Sequence, residues 1–174
     1  MGIDPCDSKD TLMPNVLFVC MANQFRSPLA AALFEKRLKQ EGSLEGWTVG
    51  SAGTWVDSEG GAHPTAIIEA RNMGMDLSSH QTREVTYEMI SATDLVVVMA
   101  HGQKEALQFE FPSQSSKIVM LSELSNGTEV DLQDPALKNF ADCDEVFAEL
   151  CGEMDKAFNE ILRRARRTEL NGKA

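Results

Sequence analysis

The chain has 174 residues, 43% of them hydrophobic, which is enough to bury the core of a single globular domain. Its 16 basic and 27 acidic residues leave a formal net charge of −11, so most of the surface repels nucleic acids and anionic membranes, and neither is expected as a partner. No uninterrupted apolar run approaches the roughly 18–20 residues that cross a bilayer, and the start MGIDPCDSKD lacks a basic stretch leading into an apolar one, so a cytoplasmic protein is expected.

Residues 1–13 are polar and unpatterned and are expected to form a flexible segment ahead of the fold. The short apolar run at 16–19 predicts a buried strand. Ser27-Pro28 then opens a helical pattern with Leu29, Leu33, Phe34 and Leu38 on one face, Ser27 being expected as N-cap and Pro28 as the first helical residue. A second strand is predicted at 48–51, a helix at 65–72 ending near Gly74, and another helix at 84–91. The continuous apolar run at 95–99 reads as a strand covered on both faces, and 117–121 reads similarly. A long amphipathic helix from about 144 to 166 turns Val146, Phe147, Leu150, Met154, Phe158, Ile161 and Leu162 inward, and its basic cluster Arg163, Arg164, Arg166 and Arg167 is expected to be a solvated helix end. Strands separated by helices imply a three-layer α/β/α architecture built on a parallel sheet, with 168–174 as a flexible tail.

The cysteines need individual explanations. Without a secretory leader, a disulfide framework is not expected. Cys6, Cys20, Cys143 and Cys151 form no Cys-x-x-Cys pair, and only His63, His80 and His101 could join them, so no metal site is expected either.

Ligands of open parallel sheets gather at the carboxyl ends of the strands, and the first strand here runs into Cys20-Met21-Ala22-Asn23-Gln24-Phe25-Arg26-Ser27-Pro28. A loop of that length entering a helix can turn successive N–H groups toward one anion, with the helix dipole adding positive potential. Arg26 supplies a planar guanidinium able to grip two phosphate oxygens, and the same field favours thiolate over thiol at Cys20, making it a nucleophile. Cysteine and arginine taken singly would be a small buried residue and a solvated helix residue; the ordered set strand, Cys, five residues, Arg-Ser-Pro and amphipathic helix points to phosphate chemistry. Expulsion of a poor leaving group calls for a proton donor. Asp134 is the candidate, because Pro135 stiffens its loop, whereas Asp131 lies outside the Asp-Pro pair.

The string VLFVCMANQFRSP resembles the phosphate-binding loop of the low molecular weight protein tyrosine phosphatases. SAGT at 51–54, LSSHQTRE around His80, DLVVVM ending at Met99, and Asp134-Pro135 extend the resemblance over roughly residues 15–165. It implies a flavodoxin-like α/β fold with a four-stranded parallel sheet, one phosphatase domain over 14–167, no metal or other cofactor, a phosphorylated protein or small phosphomonoester as substrate, and a phosphocysteine intermediate. By resemblance Cys20 is the nucleophile, Arg26 the phosphate clamp, Ser27 a hydroxyl bonded to the thiolate and Asp134 the general acid, while Met21, Ala22, Asn23, Gln24, Phe25, Arg26 and Ser27 surround the phosphate. Asn23 looks like the loop-organising asparagine of the family, with Ser51 and His80 as its supports.

The chain departs from the family at Ala22, where glycine is most common, and at Phe25, where a second cysteine is most common, so Cys20 has no neighbour for an intraloop disulfide. Ala136-Leu137 replaces the aromatic residue that tyrosine-specific relatives carry after Asp-Pro, and Trp55 is open to two readings, a cleft wall or a cover for the core edge. Gln24 matches neither the isoleucine nor the threonine that accompanies phosphotyrosine or phosphoarginine preference, and VVVMAHGQKEAL leans toward the arginine phosphatases. Phosphotyrosine-type substrates are the leading expectation, with phosphoarginine beside them. Thioredoxin-linked arsenate reduction is disfavoured because Cys143 and Cys151, both beyond Asp134, would lie ~12 Å apart along one helix. A noncatalytic phosphate-binding module is disfavoured because Cys20 and Asp134 are both present.

Overall fold

A computed structural model describes residues 13–57 and 59–171, with side chains as far as Arg166. The expected N-terminal segment falls outside the described residues through position 12, Cys6 with it. The backbone of 168–171, expected in a tail, is helical, and 172–174 lie outside the described residues.

Four strands, β1 (Asn15–Cys20), β2 (Thr48–Gly53), β3 (Leu95–Val98) and β4 (Ile118–Met120), form one parallel sheet in the order β2-β1-β3-β4. Parallel strands need crossovers, and α1 (Arg26–Gln40), then α2 (Pro64–Asn72) with α3 (Tyr87–Ser91), then α4 (His101–Glu110) supply them. α5 (Leu121–Asn126) and α6 (Cys143–Asn171) complete the chain.

The period-2 alternation of strand side chains divides the core in two. Val16, Phe18, Cys20, Val97 and Val119 face α1, α2, α5 and α6, where the Phe34 ring packs at a tilt against both Phe18 and Phe158. Leu17, Val19, Val96, Val98 and Met120 face Ile90 of α3 and Leu107 of α4. This is the expected three-layer α/β/α architecture. Burying each of these large side chains contributes roughly 1.5–3 kcal/mol.

Several local expectations need correction. Helix α1 starts two residues early, at Arg26, with Phe25 at the N-cap and no side-chain cap, so Ser27 and Pro28 are its second and third residues. Pro28 is tolerated there because the first-turn N–H groups have no intrahelical partner. Helix α3 begins three residues later than expected, since Glu84 pairs with Gly53 as an extra bridge and Thr86 accepts from Met89 N to cap the helix. Strand β4 ends at Met120 because Glu123 reaches back to Met120 N, starting α5 at once. Helix α4 meets the expectation that helices separate the strands, although the sequence gives it no range, and α5 is not anticipated. Leu107 alone gives α4 a fully apolar inward face, with Gln103 as its buried polar companion. Helix α6 runs five residues beyond the expected Arg166; Arg163 and Arg164 pair with Glu160, and Arg166 covers the Trp47 ring.

Candidate active site

The chain leaves β1 toward β2 on one side and returns to β3 on the other, so the carboxyl end of β1 lies at the switch point of the sheet. There Cys20, 2% exposed, opens the loop of residues 21–25. Asn23, at φ 56°, is the one residue of that loop in the left-handed region, which asparagine tolerates better than most. Ala22 does not need glycine's freedom, which explains how the loop dispenses with it.

Asn23 is fully buried and its amide is used on both ends. Nδ2 donates to Ser27 Oγ and Ser51 Oγ, each at 2.9 Å, and Oδ1 accepts from Arg83 N at 3.1 Å. Its backbone oxygen meets His80 Nε2 at 2.8 Å. Arg83 Nε in turn donates to Ser51 O. A buried amide with this many partners fixes the loop's shape rather than letting it breathe.

Ser27 Oγ lies 3.0 Å from Cys20 Sγ and 3.2 Å from the carbonyl of Ala52. A hydroxyl has one proton, and its lone pair here already accepts from Asn23. When Cys20 is a thiol, its S–H can donate to Ser27 while Ser27 donates to Ala52. When Cys20 is a thiolate, the hydroxyl must turn toward sulfur. The expected N-cap role of Ser27 is therefore replaced by a bond to the candidate nucleophile.

Flanking backbone holds the loop's carbonyls: Thr54 N donates to Cys20 O, Trp55 N to Met21 O and His63 N to Gln24 O, at 2.8–3.0 Å. The loop's own N–H groups, from Met21 to Phe25, donate to none of the described residues, leaving a row of donors for an anion. Gly53 stands opposite Cys20 in the register. A Cβ there would sit 2.4 Å from Met21 O and 3.1 Å from Ala22 C, so only glycine lets β2 pass this close to the loop.

Arg26, 3% exposed, extends one guanidinium nitrogen to the carbonyl of Leu132 at 2.9 Å and another to Asp134 Oδ2 in a close ion pair. Leu132 N donates to Met99 O, tying the Asp134 segment to the end of β3. Asp134 Oδ1 accepts from Ala136 N and caps a short 3-10 turn, Pro135–Lys138. Cys20, Ser27, Arg26 and Asp134 thus come together from positions up to 114 residues apart in the chain.

Beside the loop runs a cleft of about 700 Å³ lined by Met21, Thr54, Trp55, Gln103 and Asp131 among others. Trp55 is 70% exposed, which decides for the cleft wall over the core cover. Asp131 accepts from His101 N at the start of α4, and Leu137, in the place of the absent aromatic, stands out into solvent. Phe25 turns the other way, into the core. Cys143 and Cys151 both sit on α6, and burial pushes both thiols above their ordinary range.

Sequence reasoning missed three contributors. Arg83 lies inside a motif but carries no chemical signal of its own, and the Leu132 carbonyl is backbone. His63 stands out in the sequence only among the possible metal ligands, although a histidine just ahead of Pro64 at a helix start is a readable cap; its Nδ1 accepts from Thr65 N. Among the described residues no group of three His, Cys, Asp or Glu could hold a metal ion, and no helix is long and apolar enough to cross a membrane.

A cysteine at the foot of an arginine-closed loop on a flavodoxin-like sheet defines a cysteine-dependent phosphatase. Residues 15–171 match the family model described as low molecular weight phosphotyrosine protein phosphatase, and the chain belongs to that family. A probable low molecular weight protein-tyrosine-phosphatase of Ralstonia nicotianae is 31% identical over 134 residues, covering 77% of this chain and 86% of that protein. A protein-arginine-phosphatase of Bacillus subtilis is 27% identical over 153 residues, covering 88% and 97%. Among solved structures, a low molecular weight protein tyrosine phosphatase from T. tengcongensis superposes with a TM-score of 0.74 at 30% identity, covering 84% of this chain and 99% of that one.

Proposed function

We propose that this phosphatase is cytoplasmic and acts on phosphotyrosine-type phosphoproteins through a phosphocysteine intermediate, with Cys20 as nucleophile, Arg26 as clamp and Asp134 as acid and base. The observation that carries the reading is the contact of Cys20 Sγ with Ser27 Oγ at 3.0 Å beneath a loop whose N–H groups are free to bind oxygen.

A phosphate dianion entering the loop would meet the N–H groups of 21–25 and compete with Asp134 for the Arg26 guanidinium. Ser27 donates to sulfur and holds it as thiolate. The sulfur attacks phosphorus, the S–P bond forms as the P–O bond breaks, and the leaving oxygen takes a proton from Asp134. In the second step a water gives a proton to the Asp134 carboxylate while its oxygen attacks phosphorus. The S–P bond breaks, releasing phosphate and the Cys20 thiolate. Asn23, Ser51 and His80 keep the loop in shape for both steps.

The deciding assay is phosphate release from para-nitrophenyl phosphate with EDTA present. Cys20→Ser is expected to abolish turnover, and Asp134→Asn to lower it by about 10²–10⁴-fold; asparagine retains an acceptor for the buried Arg26. Activity unaltered by Cys20→Ser would remove the mechanism. Tight phosphopeptide binding without turnover in the wild type would point to the binding module.

Phosphoarginine is the second reading, favoured by the arginine-phosphatase relative and by a solvent-facing Leu137 in place of an aromatic wall. Comparing kcat/KM on matched phosphotyrosine and phosphoarginine peptides separates the two.

A further inference from the structure

His63 and Phe140 stack face to face, ring centroids 3.7 Å apart and planes within 9°. Stacked aromatic pairs ordinarily settle at wider or offset spacings, so an arrangement this close is imposed by what each ring is attached to. On one side, His63 is bound to the phosphate loop, its N–H donating to Gln24 O at 2.8 Å, and to α2, where Nδ1 accepts from Thr65 N at 3.2 Å. On the other, Phe140 closes the turn that begins at Asp134: its N–H donates to Pro135 O at 2.8 Å. Phe140 adopts φ 60° and its neighbour Asn139 φ 50°. Two consecutive left-handed residues without glycine, one of them a bulky aromatic, are strained, and such strain persists only where surrounding contacts enforce it.

We infer that His63 and Phe140 form a clamp that positions the Asp134 segment against the phosphate loop, making both positioning residues for proton transfer. The inference rests on the reading of Asp134 as general acid. The phosphate loop and the acid come from distant parts of the chain, and the Arg26–Asp134 pair between them must yield when a phosphate takes the guanidinium. The stack is a link between the two segments that involves neither Arg26 nor the phosphate. It therefore survives substrate entry and keeps Asp134 within reach of the leaving oxygen. Burial holds the His63 imidazole below its ordinary range, which keeps Nδ1 unprotonated and able to cap α2.

The test is the dependence of kcat/KM on the leaving group, comparing phenyl phosphate, which needs a proton, with dinitrophenyl phosphate, which does not. His63→Asn keeps a cap acceptor for Thr65 and the backbone donor to Gln24 but removes the ring. Phe140→Gly removes the ring and relieves the left-handed strain, so loss of folding does not obscure the result. Both are expected to lower kcat/KM on phenyl phosphate by about tenfold or more while dinitrophenyl phosphate changes less than about twofold, and Phe140→Tyr is expected to restore the phenyl phosphate rate. Equal losses on both substrates, or no loss on either, in variants alongside an Asp134→Asn control that does discriminate, would overturn the clamp. An Asp134→Asn control that fails to discriminate would remove the acid reading, and the clamp with it.

Discussion

The floor of the site and its rim are built on opposite principles. The floor consists of Cys20, Asn23, Arg26 and Ser27, all 3% exposed or less, with Ser27 bonded to Cys20 and Asn23, and Arg26 bonded to Leu132 O and Asp134. The rim consists of Met21, Trp55 and Leu137, each more than half exposed. Buried polar groups must find partners in fixed directions, so the floor has one geometry. Exposed apolar side chains are free to exchange one contact for another, so the rim can accept different substrates over the same chemistry. The relatives, some named for phosphotyrosine and some for protein arginine, fit that division.

Substitutions at the floor should therefore harm stability and turnover together, and those at the rim should shift substrate preference alone. Apart from changes to Cys20 and Asp134 themselves, the largest effect is expected from Gly53→Ala, whose new methyl collides with the backbone of Met21. Displacing the loop should lower kcat/KM at least about a hundredfold, and the overlap should cost about 1–3 kcal/mol in urea unfolding. Asn23→Ala comes next. It removes three side-chain hydrogen bonds and leaves a non-glycine residue at positive φ, so a loss of about 2 kcal/mol is expected with a comparable fall in turnover.

A smaller effect concerns pH. The folded-state value of His63 is depressed, so the neutral imidazole is the form that folding favours. Its contribution is complete above the ordinary value near 6.5 and is lost as pH falls through the lower folded value. Urea midpoints of the wild type should fall over that acidic window, and His63→Asn should flatten the fall. The smallest change in stability belongs to Trp55→Ala, within about 0.5 kcal/mol, with a change in KM that differs between phosphotyrosine and phosphoarginine peptides. A Trp55→Ala variant that loses stability as Asn23→Ala does would erase the distinction between floor and rim.

The same division governs what could be read from the sequence. The residues from Cys20 to Ser27 are contiguous, and strand, loop and helix signals agree around them, so the floor was legible in one motif. Asp134 was legible through Pro135. The residues around Ser27 suggest only an N-cap; its bond to the Cys20 sulfur is legible through the family resemblance alone, and the Cys20 and Asn23 side chains are what it meets in space. Helix α4 carries two buried side chains, Gln103 and Leu107, and a pattern so sparse does not announce a helix. The Arg26 bond to the Leu132 carbonyl has no side-chain signature at all. Phe140 was illegible because neither its left-handed backbone nor its stack on His63 has a residue-type signal.

The loop is held from outside by residues 51–54, by His63, by 80–83 and by 132–134. The octapeptide from Cys20 to Ser27 therefore has no reason to hold this shape alone. During folding, Cys20, the proposed nucleophile, is synthesised early, but its site is complete only after a segment more than a hundred residues downstream has docked. Recovery of activity after denaturation would accordingly trail the recovery of helical signal, and turnover is a clock for the last step of assembly.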